Sequence, residues 1–352
     1  MFRDVRYRGM AGWLGEESEM ISIANFRRGG HGWALRAVIL CALHALPAHA
    51  NGKLELPPEA KQAMDTMYAG DFDGAITILH GLEQAQPENP LGYLLEGEAQ
   101  WWKIFCANSQ VKYGMVDAWK RGKRPEDDDY LALTDKITRL AQEQLAKSET
   151  AEMHLYAGLG LALRARMEAL RGENRAVAHA GVAARAEFLR ALELDPQMAD
   201  ATGGVGLYND YVDSLPGIVR FLRFFMGIPG GNKKEGIQQM QTAIERGVLM
   251  PVEMRIYLAK NLRTYDQEYE RAITVAEPLV ERYPKNPIFQ LMLGNLNLEM
   301  GRSEKAAEYF RAVKAIAAED PACSNCGACA GCSGCAAHAR ELANSLAGGS
   351  VH

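Results

Sequence analysis

After residue 50, an alanine followed twelve residues later by a proline occurs three times, at Ala75/Pro87, Ala184/Pro196 and Ala272/Pro284, although the chain has only 14 prolines. Each interval spans a stretch with helical apolar spacing, as in AARAEFLRALELDP and AITVAEPLVERYP. Proline stops such a helix because it lacks an N–H and disfavours helical geometry in the residue before it. The most regular copy of the unit is residues 286–313, NPIFQLMLGNLNLEMGRSEKAAEYFRAV. There Gly301 breaks the chain, and Ala306, Phe310 and Val313 follow Gly294 by 12, 16 and 19 residues. Gly294 and Ala306 are small where two antiparallel helices cross closely, while Phe310 and Val313 share a face with Ala306 and fill the seam to the next helix. A chain punctuated in this way folds as stacked helical hairpins.

With those anchors, six hairpins are expected at about residues 57–86, 90–146, 150–195, 198–247, 252–283 and 287–318. Runs of β-branched residues with two-residue alternation are absent, so the class is all-α. Three hairpins are irregular. The second carries an insertion, WWKIFCANSQVKYGMVDAWKRGKRPEDDDY, between its helices. In the third, Tyr156, Leu159 and Gly160 take the positions of the regular first helix, but Ala184 comes 24 residues after Gly160 instead of 12. Longer helices or a loop around Arg171-Gly172-Glu173-Asn174 would accommodate the excess. The fourth holds Pro216, which kinks or ends a helix, and then the apolar run IVRFLRFFMGIPGG. At the far end Ala318 replaces the proline expected twelve residues after Ala306, so the last hairpin should run on towards a Cys/Gly-rich loop at 321–335 and a closing helix and tail at 336–352.

Over residues 57–318 this pattern resembles the tetratricopeptide-repeat (TPR) superfamily, strongly at both ends and in degenerate form between. The resemblance implies a right-handed α-solenoid whose concave groove binds a protein or peptide, without catalysis. Residues 204–247 are similar to the tetratricopeptide-39 type outer-membrane family and bacterial relatives. They carry Gly204-x-Gly206, aromatic residues, Ser214-Leu215-Pro216, a phenylalanine-rich helix, Gly227-x-x-Gly230 and a Gly-led helix.

Residues 1–50 follow a different logic. Arg27, Arg28 and Arg36 precede an apolar run at 37–46, and Ala48 and Ala50 stand at −3 and −1 of a cut after Ala50. That order is a secretory signal peptide, with Met20 as a start that would exclude the unusual upstream Glu16, Glu17 and Glu19. The Arg pair is open to a twin-arginine reading, but GGHGW after it lacks the usual apolar and lysine positions. Cys41 follows Leu40 rather than a small residue, which speaks against a lipoprotein cut. The apolar run is about half the roughly twenty residues needed to span a bilayer, and no other stretch is long enough. Export to the periplasm or cell envelope is the expectation. The leader holds six of the 39 basic and four of the 44 acidic residues. What remains is 33 against 40, a net −7 that argues against nucleic-acid binding.

Cys323, Cys326, Cys329, Cys332 and Cys335 repeat every third residue in PACSNCGACAGCSGC. Thiolates at this spacing can hold Zn, Cu(I) or an Fe-S cluster. The ferredoxin spacing is not met, since Cys332 comes one residue early and no proline follows it, and C-x-x-C-H for haem is absent. In an oxidising compartment the same thiols would form disulfides, and with Cys106 the mature chain has six, enough for complete pairing. A passive Gly-rich loop is the third reading.

Aromatic residues concentrate in the second hairpin (Trp101, Trp102, Phe105, Tyr113, Trp119) and the fourth (Tyr208, Tyr211, Phe221, Phe224, Phe225). Helical spacing assigns most of them to the core. Adjacent Trp101-Trp102 and Phe224-Phe225 cannot both face one core, so Trp101, Trp102, Tyr208, Tyr211, Phe221 and Phe225 are the candidate partner-binding residues. With Arg220 and Arg223 beside it, the Phe221/Phe225 pair would also suit peripheral contact with a membrane surface.

Asp127-Asp128-Asp129 reads as the charged start of a helix rather than a cation site. Gly230-Gly231-Asn232-Lys233-Lys234 reads as an interhelical turn, because it lacks the G-x-x-x-x-G-K-[ST] phosphate loop and a strand before it. No nucleophile motif is present. The sequence therefore points to an exported, non-enzymatic scaffold that binds a protein or peptide, with envelope assembly as the process expected. The alternatives are metal or redox chemistry at Cys323–335 and peripheral membrane docking.

Overall fold

A computed structural model describes residues 54–112, 115–118, 120–214, 228–319 and 335–348. The chain divides into two units, Met1–Ala50 and Asn51–His352, and the fold below is that of the second. The leader, Pro216, Phe221, Phe224, Phe225 and Cys323, Cys326, Cys329 and Cys332 lie outside the described residues, as do the side chains of Tyr113, Trp119 and Cys335.

Six helical hairpins follow one another. They are α1 (Pro58–Tyr68) with α2 (Phe72–Ala85), α3 (Pro90–Asn108) with α4 (Asp127–Leu145), and α5 (Ala151–Arg171) with α6 (Asn174–Leu194). Then come α7 (Ala199–Ser214) with α8 (Lys233–Arg246), α9 (Pro251–Asn261) with α10 (Tyr269–Arg282), and α11 (Pro287–Glu299) with α12 (Ser303–Glu319). A further helix, α13 (Cys335–Ala347), packs on α11, α12 and α3. Each helix contacts the next in sequence, which is the solenoid arrangement. The fold is an all-α solenoid, as the punctuation predicts.

The punctuation acts as expected. Helices α2, α6 and α10 end two residues before Pro87, Pro196 and Pro284, and Ala75, Ala184 and Ala272 are buried at their crossings. A Cβ on Gly294 would lie 2.4 Å from the Phe310 ring, so the glycine is what allows α11 and α12 to approach. Without a proline at 318, α12 runs on to Glu319. Helix starts are capped by Asp71, Asn89, Thr150, Asn232 and Asn286, whose side chains accept from backbone N–H groups in the first turn. Each such cap is worth about 1 kcal/mol.

Two details depart from the sequence reading, and one alternative it left open is decided. The chain is not purely helical: β1 (Ser109–Lys112) pairs antiparallel with β2 (Met115–Ala118), Ser109 opposite Ala118, as a two-stranded ribbon within the second hairpin's insertion. In the third hairpin two helices of 21 residues take up the excess around a tight turn at Gly172, which has φ +80°. Lengthening them moves the crossing. The glycine that admits Phe188 is Gly158, whose added Cβ would sit 2.6 Å from that ring, whereas Gly160 lies against Ile137 of α4. Gly204 of α7 touches the other side of Phe188 in the same way, at 2.5 Å.

The succession of hairpins also closes on itself. Asp65 of α1 accepts from Arg282 (2.9 Å) and from the Tyr283 hydroxyl (3.0 Å), and Asn286 donates to the Tyr68 carbonyl at 3.0 Å. Gly70, at φ +103°, lets the first turn pass Lys285 and Pro287. The first hairpin is thereby joined to the fifth and sixth.

Candidate functional site

Closure decides what happens at the centre. The first helices of hairpins one, two, three, five and six all contribute side chains to one buried cluster. The Trp102 ring stands edge-on to Tyr68 (6.4 Å) and Phe289 (5.9 Å) and packs against Phe105 (5.3 Å), while Trp101 packs on Tyr130 at 6.4 Å. Trp101 and Trp102 are thus both buried, at 7% and 3% exposure. The expectation that one of the pair must face outward is corrected here. Ring closure covers α3 on two flanks, so adjacent residues pointing in different directions both find neighbours.

Within this apolar cluster sits a charged group. The Trp102 indole Nε1 donates to Glu253 Oε1 at 3.0 Å. Arg166 Nη2 pairs with Glu253 Oε2 at 3.2 Å, and its Nη1 donates to Glu98 Oε1 at 2.6 Å. The guanidinium also lies 5.3 Å from the Tyr257 ring centre and 5.9 Å from that of Trp101. Burial, and then the Glu98 charge, push Glu253 up to about 8, the nearby Arg166 notwithstanding. Burial opposes the charge of Arg166 as well, but Glu98, Tyr257 and Glu253 more than offset it and hold the guanidinium firmly protonated. Tyr68 and Tyr130 are raised by burial and by the same carboxylates. Chemically the group is a staple: one cation and two carboxyl groups, Glu253 and Glu98 sharing a proton, tie α3, α5 and α9 together across 68 and 151 residues of sequence.

A different surface remains open at hairpins four and five. A cleft of about 650 Å³ lies between the end of α7, the start of α8 and the turn after α9, bounded by Asp213, Lys233, Lys234, Gln238, Asp266 and Arg271 among others. The turn is a single π-helical loop, Leu262–Asp266, closed by Gln267 at φ +58°. Such loops are rare and recur at functional sites. Tyr265 on this turn and Tyr211 on α7 are the large apolar side chains most exposed among the described residues, at 42% and 47%. Lys233 shapes the cleft: its Nζ pairs with Asp266 and lies 5.7 Å from the Tyr265 ring centre, while its backbone N–H donates to Asp213 Oδ2 at 3.2 Å. Gly231 admits the approach of this loop to α7, since a Cβ there would meet the Asn209 carbonyl at 2.3 Å. Asn232 then caps α8. The 230–234 stretch is thus an interhelical turn.

Of the aromatic candidates, Tyr211 is exposed. Tyr208 is half-buried, its hydroxyl donating to the Pro229 carbonyl at 3.0 Å with the Arg185 guanidinium 5.2 Å from its ring centre. Tyr265 was not among them, and no periodicity singles it out. The π-helical turn that displays it has no sequence mark beyond the polar run Thr264-Tyr265-Asp266-Gln267. Asp127 opens α4, takes a bidentate contact from Arg121 (2.6 and 3.2 Å) and accepts from the Arg124 N–H. Burial works against its charge, but these donors hold it below the usual carboxylate range. It is a structural anchor. Cys106 is 1% exposed and disulfide-bonded. No helix among the described residues is long and apolar enough to cross a membrane.

Residues 262–321, which contain the π-turn, α10, α11 and α12, match a family model described as tetratricopeptide repeat. The chain is similar to the solved C-terminal part of a TPR repeat-containing protein from Cytophaga hutchinsonii, at 16% identity over 74% of this chain and 79% of that one, with a TM-score of 0.32. It is also similar to yeast Tom70, at 13% identity over 90% and 85%, with a TM-score of 0.24. No curated protein matches it in sequence. These matches do not extend to the narrower tetratricopeptide-39 likeness of residues 204–247. The match identifies residues 262–321 as tetratricopeptide repeat, and the other hairpins share its small residues and helix stops.

Proposed function

We propose that the protein is an exported, non-enzymatic scaffold that binds a protein or peptide partner in the cleft of hairpins four and five. The observation that carries this reading is the occupied interior. The face that a repeat of this kind would offer a peptide is filled by Tyr68, Trp101, Trp102 and Phe289, and Glu253, Glu98 and Arg166 are paired with one another. Tyr211 and Tyr265, by contrast, remain exposed near a cleft lined by charges of both signs, the composition of a polar rim with aromatic anchors. Export is supported by the order of residues in the leader and by a disulfide at Cys106, which an oxidising compartment sustains. Envelope assembly is the process this location suggests.

Site-specific photo-crosslinking in the native host tests the reading. A photoreactive residue at Gln238 or Tyr265 should yield a discrete protein adduct, and one at exposed Lys314 on α12 should not. Equal yields from all three positions, or none from the cleft, would refute it.

A further inference from the structure

Helix α2 presents His80 and Glu83, three residues apart, on the side that faces α3, where Glu96 meets them. One donor atom from each lies within 4.8 Å of the others, and His80 Nε2 is 3.5 Å from Glu96 Oε1. Gly92 makes room for the arrangement. A Cβ there would stand 2.8 Å from Glu83 Cγ, so any other residue would push that side chain away from α3. His80 and Glu83 line a cleft of about 400 Å³ together with Tyr93 and Lys136.

Two features of this group are unexplained by packing. Glu83 Oε1 is shut off from solvent and no N–H donor reaches it, which leaves the Glu83 carboxyl group to share a proton with Glu96 or to remain unsatisfied. The carboxylates of Glu83 and Glu96 also face each other. Lys136 does not bridge them; its ammonium sits 3.7 Å from the Tyr93 ring centre.

We propose that His80, Glu83 and Glu96 form a binding site for zinc or a similar borderline divalent cation, with its remaining coordination positions opening on the adjacent cleft. One imidazole nitrogen and two carboxylate oxygens suit zinc or cobalt, and the histidine disfavours calcium or magnesium. Ligands at about 2.0–2.1 Å in a tetrahedron stand roughly 3.4 Å apart, close to the observed His80–Glu96 distance. His80 is half-exposed and free to complete the approach by side-chain rotation. The cation would engage the orphaned Glu83 oxygen and neutralise the facing carboxylates. Lys136 sets a limit on affinity, because its charge repels the ion from across the cleft.

Cobalt(II) titration of the full, disulfide-intact chain tests this separately from the cysteine run, since thiolate ligands give an intense near-ultraviolet charge-transfer band and imidazole or carboxylate ligands do not. The site predicts one cobalt with visible ligand-field absorption and no such band, displaced by zinc. His80→Ala and Glu96→Gln should each weaken it by about 10-fold or more, and Lys136→Met should tighten it. The tightening keeps the test decisive where a ligand variant disturbs folding. Unchanged affinity in all three variants, cobalt bound only through thiolates, or no cobalt bound at all would overturn the proposal.

Discussion

The staple at the centre of the ring predicts how stability varies with pH. In the folded protein Glu253 is held up to about 8, against 4.5 for an ordinary glutamate, by burial and by Glu98. Between those values the folded state binds one more proton than the unfolded chain. Stability therefore falls as pH rises, by about 1.4 kcal/mol per pH unit for one proton, and levels off above the folded value. Its maximum lies below the unfolded carboxyl's own value. From pH 6 to 8 the loss is about 2–3 kcal/mol, a large share of a domain's net stability. Glu253→Gln isolates the effect. The amide oxygen can still accept from Trp102, Arg166 keeps Glu98, and no proton is taken up. Urea unfolding at about pH 5.5, 7 and 8.5, followed by tryptophan fluorescence, reads the difference, because Trp102 leaves a fully buried site on unfolding. The wild-type midpoint should drop steadily across this range and the variant's should change less, so that the variant equals or exceeds the wild type at the alkaline end. Glu83, raised to about 8 as well, is common to both proteins and cancels in the comparison. Parallel pH profiles for the two proteins would refute the shared-proton account of the staple.

Asp200 of α7 accepts from the backbone N–H groups of Val248, Leu249 and Met250 ahead of α9. Asp200→Ala orphans these donors and should cost about 2–4 kcal/mol by urea midpoint, with Asp200→Asn losing less because one acceptor oxygen stays. Gly158→Ala places a methyl 2.6 Å from the Phe188 ring and should cost about 1–3 kcal/mol, partly restored by adding Phe188→Leu. Reducing the Cys106 disulfide should lower stability by about 2–4 kcal/mol, read as a downward shift of the melting temperature with dithiothreitol that Cys106→Ser abolishes. Asp65→Asn, which removes a half-exposed ionic contact with Arg282 at ring closure, should cost no more than about 1 kcal/mol.

The hairpins were legible because their rules are local. A glycine or alanine at a crossing, apolar residues on the same face beyond the alanine and a proline at the stop all fall within one unit of sequence, so the outer limits of the six hairpins were legible to within a residue. Relations between units were not legible. Gly158 and Gly160 look alike in sequence, and only the lengths of two neighbouring helices decide which of them meets Phe188. Likewise His80 and Glu83 show helical spacing, but Glu96 joins them through the register of α3 on α2.

The fate of Trp101-Trp102 is the sharpest instance, and it bears on function. A hairpin in a solenoid buries one side against its sequence neighbours and leaves its inner side for a ligand. That division holds while the array stays open. Here Asp65, Tyr68 and Gly70 of the first hairpin meet Arg282, Tyr283 and Asn286 of the fifth and sixth, and the inner sides then pack on one another. Residues that would serve as anchors for a peptide become the ring's own core, with Arg166 and Glu253 supplying contacts a bound segment would otherwise make. The proposed recognition is therefore placed on a surface that closure does not consume. The π-turn between α9 and α10 interrupts the regular succession within the fifth hairpin and displays Tyr265 beside the α7–α8 loop. An irregularity in a repeat array costs packing, and its persistence beside an open cleft is the physical reason for placing the proposed partner site at hairpins four and five.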